Sequence, residues 1–277
     1  MGMQMIIRSM FVLAGLATAL TIIGPAGAHE DVLVSQDQAA NGTLIIGTYD
    51  DGLPGVADPG PVRVFGYDTE FDGSAPYFGN GEPGFRARPN VEVNPFFQLP
   101  VGGGLGFNFK AFTIGIDSAN LWYWDGMGSV DFDPATTHQL KWKKGASEAS
   151  VTGANADVTG FNIANVSGTN TIHQHIDTFI SLGASMEPTD LGIYLVAAEF
   201  TMAGHTSSDL TYFVYATLDE GGLITEDMHD DAIDWVQDNL VNAEAVPEPS
   251  SILLGALAGG LGLAVVAVRR RARRAKC

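Results

Sequence analysis

Along the middle of the chain, apolar and polar residues recur in short runs closed by Gly, Pro, Asn or Asp. Leu44–Tyr49, Val62–Tyr67, Leu105–Phe112, Leu121–Trp124, His138–Lys143, Phe161–Val166, Thr171–Leu182, Leu191–Met202 and Leu210–Leu218 are rich in β-branched and aromatic residues, and most are too short for a helix. The pattern predicts about nine strands. No amphipathic stretch of about 10–15 residues separates them, so the expected fold is all-β, an antiparallel β-sandwich or jelly roll rather than an α/β sheet. Long connections cover Asp51–Pro61 and Asp68–Pro100. One segment departs from the pattern: Met228, Ala232, Ile233, Val236 and Leu240 fall at helical spacing. Thr225 stands before them as N-cap and acidic residues fill the first turn, which predicts a short helix over Glu226–Leu240. Its Asp227, Asp230, Asp231, Asp234 and Asp238 read as a solvated acidic face, with a metal-binding face as the rarer alternative.

The two ends carry a different pattern. Arg8 precedes an apolar run from Met10 to Ile23, then Gly24-Pro25 and the small tripeptide Ala26-Gly27-Ala28. This order is what a signal peptidase reads, and the expected mature N-terminus is His29. At the other end, Val246-Pro247-Glu248-Pro249-Ser250 leads into Ile252–Val268 without a charge, followed by Arg269, Arg270, Arg271, Arg273 and Arg274. Seventeen such residues reach roughly 26 Å as a helix, the short end of a single transmembrane span. The basic block stays cytoplasmic and puts the residues before Pro247 outside. The chain therefore divides into 1–28, a signal peptide; 29–224, a β-sandwich ectodomain; 225–245, an acidic helix and linker; and 246–277, a motif, span and basic tail.

This C-terminal order of tripeptide, span and Arg block resembles the PEP-CTERM sorting signal. The resemblance covers Val246–Cys277 and implies recognition by exosortase, a membrane transpeptidase of Gram-negative bacteria. It further implies an inner-membrane intermediate, cleavage near Pro247–Pro249 and delivery to the cell surface or the exopolysaccharide matrix. Dividing the chain also changes its electrostatics. The whole carries a net charge of −18, but residues 29–246 hold 31 of the 32 acidic residues and only 7 of the 14 basic ones. So acidic a domain does not track a phosphate backbone, which excludes nucleic acid as a partner. The single cysteine, Cys277, lies beyond the span, so the ectodomain must be stable through its core alone.

Candidate chemistry centres on Thr171–Ile180. Alternation places Ile172, Ile176 and Ile180 on one face, the natural core face, and His173, His175, Asp177 and Phe179 on the other. Two imidazoles two residues apart on a strand can converge on one zinc or copper ion, given a third ligand from Asp177, His138, His205 or His29. Two hydrogen-bonded histidines on a half-buried face are the commoner outcome of the same pattern. A free N-terminal His29 offers an amine and a ring nitrogen to copper, an arrangement used in lytic polysaccharide monooxygenases. Asp68, Glu70 and Asp72 before Gly73 look like the start of a calcium loop, although Gly79 replaces the bidentate Glu of an EF-hand; Asp131 and Asp133 are a second acidic pair. Trp122 and Trp124 share a face, as a sugar-stacking platform or, more commonly, a buried core pair. No G-x-S-x-G, H-E-x-x-H or P-loop occurs.

The His173-x-His175 strand, the Gly192-Ile193-Tyr194 strand and the Tyr212–Tyr215 run, with Glu82–Phe85 and Leu121–Gly126 upstream, resemble bacterial surface-anchored "choice-of-anchor" β-domains. That resemblance spans about Asp31–Leu218 and implies an exported, noncatalytic β-domain associated with metal. The expectation is a noncatalytic surface or matrix protein with a structural or adhesive role in an exopolysaccharide envelope, handled by signal peptidase and exosortase. The alternative is a metal-binding protein or copper-dependent polysaccharide-acting enzyme using His29, His173 and His175.

Overall fold

A computed structural model of the chain describes residues 30–50, 57–58, 60–71, 78–183, 191–218 and 222–244. The expected signal peptide, His29, Asp72 and the sorting signal from Val246 onward lie outside the described residues. Within them the chain is mostly β-strand with one short helical segment, and no helix is long and apolar enough to cross a membrane.

Among the described residues eighteen strands follow one another. The first six are β1 (Glu30–Gln36), β2 (Leu44–Asp50), β3 (Ala57–Asp58), β4 (Val64–Phe71), β5 (Phe78–Asn80) and β6 (Gly84–Ala87). Then come β7 (Gly104–Lys110), β8 (Phe112–Ile114), β9 (Asp117–Ala119), β10 (Trp122–Trp124), β11 (Asp133–Pro134) and β12 (His138–Lys144). The last six are β13 (Ser147–Val151), β14 (Val158–Asn165), β15 (Ile172–His175), β16 (Asp177–Leu182), β17 (Ile193–Met202) and β18 (Thr211–Thr217).

The smaller of two main sheets has the order β15-β6-β1-β2-β3. The larger runs β11-β10-β17-β18-β4-β5-β16-β12-β13, with β7 and then β14 continuing beside the second half of β17. Most neighbours are antiparallel, but β1 lies parallel to β6 and β18 parallel to β4. Both sheets are thus mixed, where the sequence predicted antiparallel pairing throughout. Each parallel pair joins strands far apart in the chain, a relation that hairpin signals do not carry.

The two sheets share one core. Phe85 from β6 meets Trp142 from β12 edge-on at 6.1 Å, and Phe107, Phe109 and Phe213 pack around the same indole at 4.7–5.0 Å. These offset and edge contacts are the favourable arrangements for buried rings. Strands β17 and β18 are buried on both faces. Tyr194, Val196, Phe200, Phe213 and Tyr215 point into the shared core, while Ile193, Leu195, Tyr212 and Val214 point the other way into a second cluster closed by Trp122, Trp124, Ala232 and Val236. Burial on both faces is why these two strands read as near-continuous apolar runs.

The second cluster is capped by α1 (Glu226–Val236), which continues as a π-helical turn over Gln237–Val241 and a last turn, α2 (Asn242–Glu244). Thr225 Oγ1 accepts the Met228 N–H at 3.3 Å, the expected cap. Ala232 and Val236 are buried and Asp227, Asp230, Asp231, Asp234 and Asp238 are exposed, the solvated acidic face the sequence suggested. Gly66 on β4 lets the helix sit close, since a Cβ there would stand 2.4 Å from Ile233 Cδ1.

The Thr171–Leu182 stretch keeps the alternation but is two strands. Ile172, Ile176 and Ile180 are buried, and His173, His175 and Asp177 are exposed. Yet β15 pairs with β6 in the small sheet and β16 with β12 and β5 in the large one. The chain changes sheet at Ile176, whose N–H donates to the Pro83 carbonyl at 3.2 Å. Ile176 is 1% exposed within the shared core. Ile176→Ala is expected to cost about 2–5 kcal/mol in urea unfolding; a change below about 0.5 kcal/mol would mean that this side chain lies on a surface.

Candidate metal centre

Sequence dictates which side chains appear on the outer face of the small sheet. In β6, Phe85 and Ala87 turn to the core, leaving Arg86 outward; in β1, Val32 and Val34 turn inward, leaving Asp31 and Leu33 outward; in β15 the outward pair is His173 and His175. Pairing then fixes their order. His173 stands beside Arg86 and His175 beside Gly84 across β15 and β6, and Val32 stands beside Phe85 across β6 and β1. Asp31 therefore falls next to Gly84 on the side opposite His175. The missing side chain leaves a hollow, and both neighbours lean into it: a Cβ on Gly84 would lie 1.9 Å from Asp31 Oδ1 and 2.8 Å from His175 Cε1.

Asp31 is 2% exposed, and Arg86 compensates it by donating Nε–H to Oδ2 at 2.5 Å. The guanidinium also lies over the Tyr49 ring, 4.8 Å from its centroid, and its Nη2 is 3.2 Å from His173 Nε2. The two imidazoles face each other through their Nε2 atoms at 3.2 Å, and His175 Nε2 is 4.0 Å from Asp31 Oδ1. On its other side, His175 Nδ1 lies 3.2 Å from the Gly81 carbonyl and 3.4 Å from Glu82 Oε1. Glu82 is fixed in turn by the Gly84 N–H, which donates to Oε2 at 2.5 Å. Among the described residues, Asp31, His173 and His175 are the one group of three His, Cys, Asp or Glu side chains whose ligand atoms all lie within 4.8 Å of one another.

A hydrogen-bonded chain ties this surface to the core. Trp142 Nε1–H donates to the Tyr215 oxygen at 2.9 Å, the Tyr215 and Thr178 hydroxyl oxygens are 3.4 Å apart, and Thr178 donates to the Glu82 carbonyl at 2.6 Å. With the Thr178 hydrogen committed to Glu82, the phenol supplies the hydrogen between the two hydroxyls. Burial suits it to that role: desolvation of the phenolate pushes the Tyr215 phenol far above its ordinary range.

The other expected ligands stand elsewhere. Asp177 begins β16 in the large sheet, paired in register with Lys143. It is two residues beyond His175 but across the sheet change, and so does not join the cluster. His138 is buried against Tyr123, stacked at 4.9 Å, and His205 lies in the turn after β17 with Nδ1 3.2 Å from the Ala203 carbonyl. Of the expected calcium ligands, Asp68 and Glu70 lie in the extended strand β4, with Asp68 Oδ1 3.0 Å from His229 Nδ1, and Asp72 is outside the described residues. Asp131 and Asp133 remain an exposed pair around β11. Trp122 and Trp124 are 1% and 3% exposed, a core pair and not a sugar platform.

The sequence pattern assigned Asp31, Glu82, Gly84 and Arg86 no place in the site, although Glu82–Phe85 belongs to the resemblance to surface-anchored β-domains. The signal for Asp31 was present in Asp31-Val32-Leu33-Val34-Ser35, a charge abutting an apolar run; Gly84 and Arg86 sit on a four-residue strand whose alternation is too short to recognise. His229 was also missed: from α1 its Nε2 faces the Val214 carbonyl at 3.0 Å and its Nδ1 faces Asp68, pinning the helix to β4 and β18.

Comparison with known proteins finds no family model that matches the chain, and no match among curated proteins or solved structures.

The hollow over Gly84 gives a sharp steric prediction. Gly84→Ala is expected to cost about 1–3 kcal/mol in thermal or urea unfolding by forcing Asp31 and His175 apart. Gly81→Ala, whose Cβ would meet nothing within 4 Å, serves as control and is expected to change stability by about 0.5 kcal/mol or less. Equal, small effects at both positions would contradict the close approach of Asp31 to Gly84.

Proposed function

We propose that the chain is an exported, noncatalytic protein of the bacterial envelope, a β-sandwich ectodomain with one C-terminal helix. A signal peptidase frees it at its N-terminus, a single C-terminal span holds it in the inner membrane, and an exosortase reading Val246–Pro249 delivers it to the cell surface or the exopolysaccharide matrix. Its role there is structural or adhesive. One observation carries the reading: the chain bears both processing patterns in the required order, Arg8, the apolar run Met10–Ile23 and Ala26-Gly27-Ala28 at one end, and Val246-Pro247-Glu248-Pro249, the uncharged run Ile252–Val268 and the basic block from Arg269 to Arg274 at the other. Further support comes from the composition. An acidic, cysteine-free ectodomain needs neither oxidative folding nor a nucleic-acid partner, and its aromatic core supplies the apolar burial that a disulfide-free domain requires.

The test is sorting of the full chain in a host that carries an exosortase. Replacing Pro247 and Glu248 together by Ala is expected to leave the full-length form in the inner membrane, as read by fractionation and blotting, while the unaltered chain is shortened and released. Normal processing and release of the double variant would overturn the reading.

A further inference from the structure

We propose that Asp31, His173 and His175 together bind one divalent transition-metal ion of the zinc or copper class over the hollow left by Gly84. The geometry of the cluster carries the inference. Asp31, His173 and His175 bring three ligand atoms within 4.8 Å of one another, and the two Nε2 atoms face each other at 3.2 Å beside a hollow that a Cβ on Gly84 would fill. On its far side His175 Nδ1 lies against the Gly81 carbonyl and Glu82 Oε1.

A metal ion fits this geometry. Two imidazole nitrogens at about 2.0–2.1 Å from a tetrahedral ion stand about 3.3 Å apart, against 3.2 Å between His173 and His175. Asp31 Oδ1, 4.0 Å from His175 Nε2, becomes the third ligand as the carboxylate turns toward the two rings. Arg86 keeps Oδ2 and so orients Oδ1, and its Nη2 yields the His173 lone pair to the ion. Glu82 and the Gly81 carbonyl take the His175 Nδ1–H, the support that ligand histidines ordinarily receive from a carboxylate or carbonyl. The donor set selects the cation: two imidazoles and one carboxylate suit zinc or copper, whereas calcium and magnesium take oxygen shells. Bound there, the ion ties β1 to β15 across β6. Both rings are exposed, which leaves a further coordination position open to water or a small ligand.

The experiment uses the full chain, purified in detergent because of its apolar ends, stripped with a chelator and titrated with zinc, copper and calcium chlorides by calorimetry. The expected result is one equivalent of zinc or copper and none of calcium. Glu82→Gln, which leaves all three ligands in place, is expected to weaken binding about 10- to 100-fold, and His173→Ala and His175→Ala each to weaken it further. Asp31→Asn alters a buried pair and risks the fold, so the two exposed histidines carry the test; their metal-free melting temperatures are expected to match the parent. Absence of zinc and copper binding, binding that survives either histidine variant, binding lost only on His29→Ala, or equal affinity for calcium each overturns the proposal. The sorting route is independent of this outcome, because fractionation reads location and calorimetry reads the site.

Discussion

A carboxylate buried in β1 sets the outer face of the small sheet. Unpaired, Asp31 would be strongly destabilising at 2% exposure. Arg86 neutralises it from the neighbouring parallel strand, and the Tyr49 ring beneath the guanidinium keeps that charge in place. The pairing works only because Gly84 has no side chain to fill the space into which the Asp31 carboxylate leans. With β6 fixed against β1 in this way, its other edge takes β15, and His173 and His175 are delivered to the same hollow. A surface that pattern alone would describe as two exposed histidines is thereby a three-strand cluster with a buried anchor.

That surface is continuous with the core. Trp142 fills the space between the sheets and is held by Tyr215, and from Tyr215 the hydrogen bonds pass through Thr178 to the carbonyl of Glu82, the residue whose carboxylate faces His175. Each polar group in this path is partnered and its Trp142, Tyr215 and Thr178 groups are buried, which rigidifies the turn between β5 and β6 that carries Gly81 and Glu82 and leads into Gly84. The sheet change at Ile176 serves the same end. By keeping the alternation while switching partners, the chain presents His173 and His175 from the small sheet and returns Thr178 to the large one.

Much of the fold was legible because hydrophobic period reports burial. Strand β12 alternates cleanly, β17 and β18 read as long apolar runs, and Thr225 with its acidic first turn marked the start of α1. The inward isoleucines and outward histidines of Ile172–Ile180 were legible for the same reason. What was not legible depends on pairing between distant strands. Asp31 and Arg86 are 55 residues apart, and nothing local to either announces the other. Asp177 looked like the natural third ligand because it continues the alternation, but alternation does not reveal a change of sheet. Asp68, Glu70 and Asp72 looked like a loop because their spacing matches one, whereas Asp68 and Glu70 belong to β4, paired to β18 for most of its length.

The central claim is that Asp31, His173 and His175 converge on one point, and the most direct measurement is anomalous diffraction above the zinc absorption edge from crystals grown with zinc. The account predicts a single peak over Gly84, about 2 Å from both Nε2 atoms, with Arg86 Nη2 displaced from His173 and its Nε still on Asp31. Crystals in which zinc scatters elsewhere, or nowhere, while Arg86 Nη2 remains seated against His173 Nε2, would contradict it.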